Sequence, residues 1–154
     1  MNKICFLLFF LVSTLLYGKD KQIWEYQHRF LLKKDQVAQI HIDNVALANK
    51  QKNSSFLLKF GWVLFENANI TLLLNYKGYP HQYLLRSGKP TDGVKIDLLS
   101  NSNGLRGRVY ALIDIADFDQ QKQRAQIDVY IKDDTKKVRI KFQDPKQNMI
   151  DKRK

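Results

Sequence analysis

Three histidines, a run of aspartates, two glycine spacings and a scatter of serines are the residues here with chemistry to offer. His28, His41 and His81 lie far apart in the sequence. A metal site needs ligands clustered at short spacing, so none is expected. His28 shares the aromatic face of an alternating run and reads as a half-buried structural histidine. His41 reads as solvent-facing, and His81 follows Pro80 at a turn. Asp114, Asp117 and Asp119 carry the oxygen ligands that calcium prefers, but they lack the central glycine and distal glutamate of a calcium loop. Strict alternation sends Asp114 and Asp117 to opposite faces of a strand. They read as solvated carboxylates at a strand end.

Gly88 and Gly93 are spaced for a phosphate-binding loop, but Val94 and Lys95 follow. The lysine falls one place too late for backbone cradle and charge to converge. Gly104-Leu105-Arg106-Gly107 matches the short clamp of a nucleic-acid module that needs a helical setting, and here it lies between strands. The chain has no Gly-x-Ser-x-Gly elbow. Ser54, Ser55, Ser87, Ser100 and Ser102 fall in turn-like stretches, and Glu25 and Glu66 are the only glutamates. No catalytic residue, cofactor site or metal site is therefore expected, and the chain reads as a non-enzyme.

Contact surface is the remaining chemistry. Tyr76-Lys77-Gly78-Tyr79-Pro80-His81-Gln82-Tyr83 places three tyrosines and a histidine around a Gly/Pro turn. Tyrosine offers an apolar body with a polar tip, which suits interfaces. Lys137, Arg139 and Lys141 alternate along one face of a late strand. Tyr76, Tyr79, His81, Tyr83, Lys137, Arg139 and Lys141 form the expected interaction surface. The balance of 26 Lys plus Arg against 15 Asp plus Glu, net +11, favours anionic partners and an encounter rate that salt weakens.

Alternation of apolar and polar residues dominates the chain. Trp24, Tyr26, His28, Phe30 and Leu32 share one phase; so do Ala38, Ile40 and Ile42; Ala125, Ile127, Val129 and Ile131; and Val138, Ile140 and Phe142. A period of two with one wet face is the pattern of antiparallel sheets. Phe56–Phe65 is apolar on both sides, with Phe56, Leu58, Phe60, Trp62 and Leu64 in phase, and reads as a central strand. Turns are expected at Lys33–Asp35, Asn67–Asn69, Asn101–Gly104, Asp119–Lys122 and Asp133–Lys136. The last two make Arg108–Phe142 a three-stranded meander. Asp43–Lys52 reads either as a short amphipathic helix or as a polar loop. The fold class is all-β: an antiparallel β-sandwich of about eight or nine strands, with a small closed or half-closed β-barrel as the alternative.

Residues 1–18 read as a secretory signal peptide. Lys3 precedes the uncharged run Ile4–Tyr17, which is shorter than the roughly 18 to 20 residues a spanning helix needs. Cleavage is expected after Gly18. Cys5 would leave with the leader, so the exported domain would rest on its hydrophobic core alone. Residues 19–143 then form one β domain and 144–154 a basic, flexible tail. Asn53-Ser54-Ser55 and Asn69-Ile70-Thr71 match a glycosylation pattern that an Asn-rich chain produces by chance. The expected role is an exported module in the bacterial periplasm. It would act by contact with an envelope protein or an anionic envelope component, including peripheral membrane contact, and not with nucleic acid. The alternative is a periplasmic carrier holding a lipid or other apolar ligand in a barrel-like cavity, lined by the aromatic faces of Trp24–Leu32 and Phe56–Leu64.

Overall fold

The computed structural model describes residues 23–45, 55–87, 93–99 and 107–145. The expected leader, the turn at Asn101–Gly104, most of the Asp43–Lys52 segment and most of the tail lie outside the described residues.

Nine strands are present: β1 Tyr26–Lys33, β2 Ala38–Asn44, β3 Ser55–Glu66, β4 Asn69–Tyr76, β5 Tyr79–Arg86, β6 Val94–Leu99, β7 Val109–Asp119, β8 Arg124–Asp133 and β9 Val138–Gln143. They form two antiparallel sheets. One has four strands in the order β1-β8-β7-β6, and the other has five in the order β5-β4-β3-β2-β9. The sheets pack face to face as a sandwich and do not close into a barrel. Among the described residues there is no helix.

The inward phases supply the core, as the alternation requires. Phe30 and Leu32 of β1, Ile40 and Ile42 of β2, and Ile127, Val129 and Ile131 of β8 are fully buried. Rings from the two sheets meet edge to face: Phe30 with Phe60 at 5.2 Å and Trp62 with Phe118 at 5.2 Å. Trp62 Nε1 donates to the Leu32 carbonyl at 2.8 Å. That bond satisfies the indole in the seam and ties β3 to the opposite sheet. β3 lies at the centre of its sheet, as its doubly apolar sequence suggests. Gly61 is required there, because a side chain would collide with the Gln36 carbonyl.

Several expectations are corrected. Arg108–Phe142 is not a three-stranded meander. β7 and β8 pair through Asp119–Lys122 as expected, but β9 pairs with β2 in the other sheet. Both edges of β8 are already occupied, by β1 and β7, so β9 has no partner to join there. Asp133–Lys136 is accordingly a crossover and not a hairpin. The buried Asp133 carboxylate accepts from the backbone N–H groups of Thr135, Lys136 and Val138 at 2.9 to 3.2 Å and fixes the bend.

Trp24 leaves the inward phase. It lies before β1 and packs on Tyr110 and Tyr130 of the four-stranded sheet's outer face. Leu64 also leaves it, because a β-bulge between Trp62 and Leu64 shifts the phase. Leu64 turns outward at 50% exposure, and Phe65 turns inward to stack on Phe118. A second bulge between Ile115 and Asp117 puts Asp114, Asp117 and Asp119 on one outer face, where strict alternation separates them. Asp43 and Asn44 end β2 instead of starting a helix.

Candidate functional site

Pairing registers place every outward residue of the five-stranded sheet. One row runs Gln143–Gln39–Lys59–Asn75–Pro80 across all five strands, and the next runs Lys141–His41–Leu57. Arg139 lies opposite Asp43, whose carboxylate accepts from Ser55 Oγ at 2.6 Å. This face carries Lys59, Arg86, Arg139 and Lys141 against Asp43 and Glu66. The adjoining turns add Lys77 and Lys137. Among the described residues, no ion pair engages Lys59, Lys77, Lys137, Arg139 or Lys141.

The four-stranded face is different. Arg29, Lys33, Lys95, Arg124 and Lys132 are matched there by Glu25, Asp97, Asp114, Asp117, Asp119 and Asp128. Arg29 holds Asp128 through two hydrogen bonds at 2.6 and 2.7 Å, and Lys132 holds Glu25 at 2.9 Å. Lys95 Nζ sits 3.9 Å above the Tyr110 ring. Excess positive charge is thus segregated to the five-stranded side.

One recess opens on that side and another at its seam with the four-stranded sheet. One, of about 540 Å³, is lined by Ser55, Leu57, Lys59, Asn75 and Lys77 among others. Lys77 Nζ lies 4.5 Å from the Phe56 ring centre and 5.0 Å from that of Tyr76, and its burial lowers the ammonium pKa. The other, of about 510 Å³, is lined by Tyr26, Lys136, Lys137 and Arg139 with Val45 and Val138. Both offer clustered ammonium or guanidinium donors beside apolar wall, a chemistry suited to phosphate or carboxylate groups.

The seven expected surface residues do not converge. Lys137, Arg139 and Lys141 belong to the β9 edge; Tyr79, His81 and Tyr83 belong to the β5 edge, at the other end of the same sheet. Four strand spacings separate these edges, roughly 19 Å. The two groups also occupy opposite faces, since Tyr79, His81 and Tyr83 pair with the inward residues Tyr76, Leu74 and Leu72. Tyr79 is nevertheless 70% exposed and His81 exposed, because β5 is the fifth strand of a sheet that faces only four. Tyr76 is a core residue. Its hydroxyl donates to the Leu98 carbonyl across the sandwich, and burial pushes its pKa up.

The histidines stay apart. His28 stacks on Phe142 with ring centres 4.9 Å apart, and its Nε2 lies 3.4 Å from Asp144 Oδ1. His41 Nε2 lies 3.0 Å from Gln143 Oε1. Among the described residues no group of three His, Cys, Asp or Glu side chains could hold a metal ion. The Gly88–Lys95 spacing meets a strand instead of a helix at Val94.

Sequence reasoning missed two features. Lys59 was visible as the charge interrupting Phe56–Phe65, but its place in the middle of the basic face needed the register. Leu64, Leu73 and Leu84, 42% to 70% exposed, form an outward apolar stripe across β3, β4 and β5, and the bulge hid Leu64. No protein-family model, curated protein or solved structure matches the chain.

Proposed function

We propose that the chain is an exported interaction module of the bacterial envelope, and that its five-stranded face docks on an anionic envelope surface. One observation carries this reading: Lys59, Arg86, Arg139 and Lys141, with Lys77 and Lys137 at the adjoining turns, outnumber Asp43 and Glu66 on that face, beside exposed leucines, while carboxylates balance the cations of the opposite face. Lysine and arginine attract anionic headgroups, and exposed leucine adds apolar contact at the interface. The short charged start and uncharged run of residues 1–18 support export. The carrier alternative has less support, because Phe30, Phe60, Trp62 and Phe118 occupy the space between the sheets that a ligand would use.

Co-sedimentation with vesicles tests the proposal. Binding is expected to phosphatidylglycerol-containing vesicles and not to phosphatidylcholine alone, and to weaken as salt rises. Each basic residue near such a surface contributes about 1 kcal/mol, so neutralising one weakens binding roughly fivefold. Lys59→Gln with Lys141→Gln is expected to lose most of the binding, while Lys95→Gln on the other face keeps it. Equal losses from both, or equal binding to both vesicle types, would refute the reading.

A further inference from the structure

We propose that β5 is a self-association edge, through which two copies join their five-stranded sheets by antiparallel β5–β5 pairing centred on Leu84. The turn before β5 sets which of its backbone groups face outward. Lys77 and Gly78 both have positive φ, 54° and 87°, in a two-residue hairpin loop between Tyr76 and Tyr79. In such a hairpin the flanking pair is hydrogen-bonded, so Tyr79, His81, Tyr83 and Leu85 bond towards β4. Ser87, next in this phase, donates its N–H to the Ala68 carbonyl at 2.9 Å. The backbone groups of Pro80, Gln82, Leu84 and Arg86 therefore point to the free edge.

Pro80 has no N–H, which blunts the first part of that edge. The open window is Gln82–Arg86, with three outward N–H groups and three carbonyls. Among the described residues nothing caps them. The other edges are guarded at single points or by their shape. Asp133 takes the Val138 N–H on β9, Gln36 Oε1 takes the Lys33 N–H on β1, and β6 is short and bulged.

The window is complementary to itself, which favours a second copy over a foreign strand. Centred on Leu84, antiparallel pairing sets Leu84 against Leu84 and Gln82 against Arg86. No like charges oppose each other, and the glutamine carbonyl can accept from the guanidinium. All three edge amides are used within the strand. Centring on Gln82 or Tyr83 brings Pro80 into the ladder. Centring on Arg86 opposes two guanidinium groups, and centring on Leu85 leaves Gln82 opposite residue 88, beyond the strand. Leu84 is 70% exposed; it lies opposite Thr71, diagonal to the outward Leu73 and in one row with Leu64, so pairing also joins two apolar stripes. The two-fold axis is perpendicular to the sheet. It turns both basic faces to the same side, which would make binding to an anionic surface bivalent; this last consequence alone rests on the proposed function.

Sedimentation velocity and amide hydrogen exchange, without lipid, separate this inference from the membrane reading. The purified protein should show a concentration-dependent monomer–dimer equilibrium. Protection at Gln82, Leu84 and Arg86 should rise with concentration, while that at Ile140 on the β9 edge should not. Leu84→Asp, which opposes two carboxylates, and Leu84→Pro, which removes the central edge N–H, should both be monomeric with melting behaviour close to the parent. Leu73→Asp, on the face but off the edge, should still dimerise. A monomer at every concentration, as expected if the edge serves an extended segment of another protein, would overturn the proposal. So would a dimer without concentration-dependent protection of these three amides, or one lost in Leu73→Asp and kept in the Leu84 variants.

Discussion

Arg29 and Asp128 read in the sequence as two unrelated outward polar residues, 99 positions apart. In the sandwich they form a doubly hydrogen-bonded ion pair on the four-stranded face. Hydrogen bonds from Arg29 hold the Asp128 carboxyl below the usual carboxylate range, against the opposing effect of burial. The Tyr130 hydroxyl donates to the same carboxylate at 3.2 Å, and its own pKa is raised, first by burial and then by Asp128. Asp114 stands directly opposite Asp128 across β7 and β8, so the guanidinium also offsets two like charges. A depressed carboxylate pKa gives stabilisation that is fully present above the unfolded value, about 3.9, and is lost as pH falls through the folded value. Arg29→Ala should therefore lower the melting temperature at neutral pH, and its deficit against the parent should shrink as pH falls from about 5 to about 2. Thermal melts across that range check it. A deficit that stays constant with pH would assign Arg29's contribution to packing of its apolar stem.

At the scale of elements, the periodicity located most strands, and the turn residues located most of their ends. Two things were not legible. Bulges change phase without any compositional signal, so Leu64, Asp114 and Asp117 were assigned by an alternation that the backbone interrupts. Sheet membership was also hidden, because β9 follows β8 through a turn-like segment and nothing local records that β1 has taken β8's second edge. The same limit hid where the candidate surface residues lie relative to one another: Tyr79, His81 and Tyr83 are on one edge strand of a sheet, and Arg139 and Lys141 are on its opposite edge strand. The β3–β4 hairpin falls at the expected Asn67–Asn69 turn and carries a local cost that only the backbone shows. Asn67 and Ala68 both adopt positive φ, 51° and 63°. Asparagine tolerates that region, while alanine is strained there by roughly 1–2 kcal/mol. Glycine removes the strain but loses more entropy on folding. Ala68→Gly should raise stability by about 1 kcal/mol, read as a higher denaturant midpoint with unchanged slope. A lower midpoint would mean that the turn relaxes in solution to a geometry alanine prefers.

Over the whole molecule, each sheet is completed by strands from opposite ends of the described chain. β1 pairs with β8 along its full length, and β2 pairs with β9. Side chains then close the seam between these edges, with the Tyr26 hydroxyl donating to the Val138 carbonyl at 2.7 Å and His28 stacked on Phe142. Neither sheet can be finished early, and each buries its apolar face only against the other. Loop closure over such separations must precede the contacts that reward it, so folding should be slow, on a scale of milliseconds to seconds. It should also be cooperative. Trp62 reports on the seam, and Trp24→Phe leaves it as the only tryptophan, since the chain has two. In that variant, Trp62 fluorescence and far-ultraviolet circular dichroism should follow one coincident transition in denaturant. A chain ending before Val138 loses the β2 partner and uncovers Ile40, Ile42 and Phe30. It should show no cooperative transition by either probe. Two separated transitions in the full chain, or a folded truncated one, would mean that one sheet is stable without the other and that end-to-end pairing is not what holds the sandwich together.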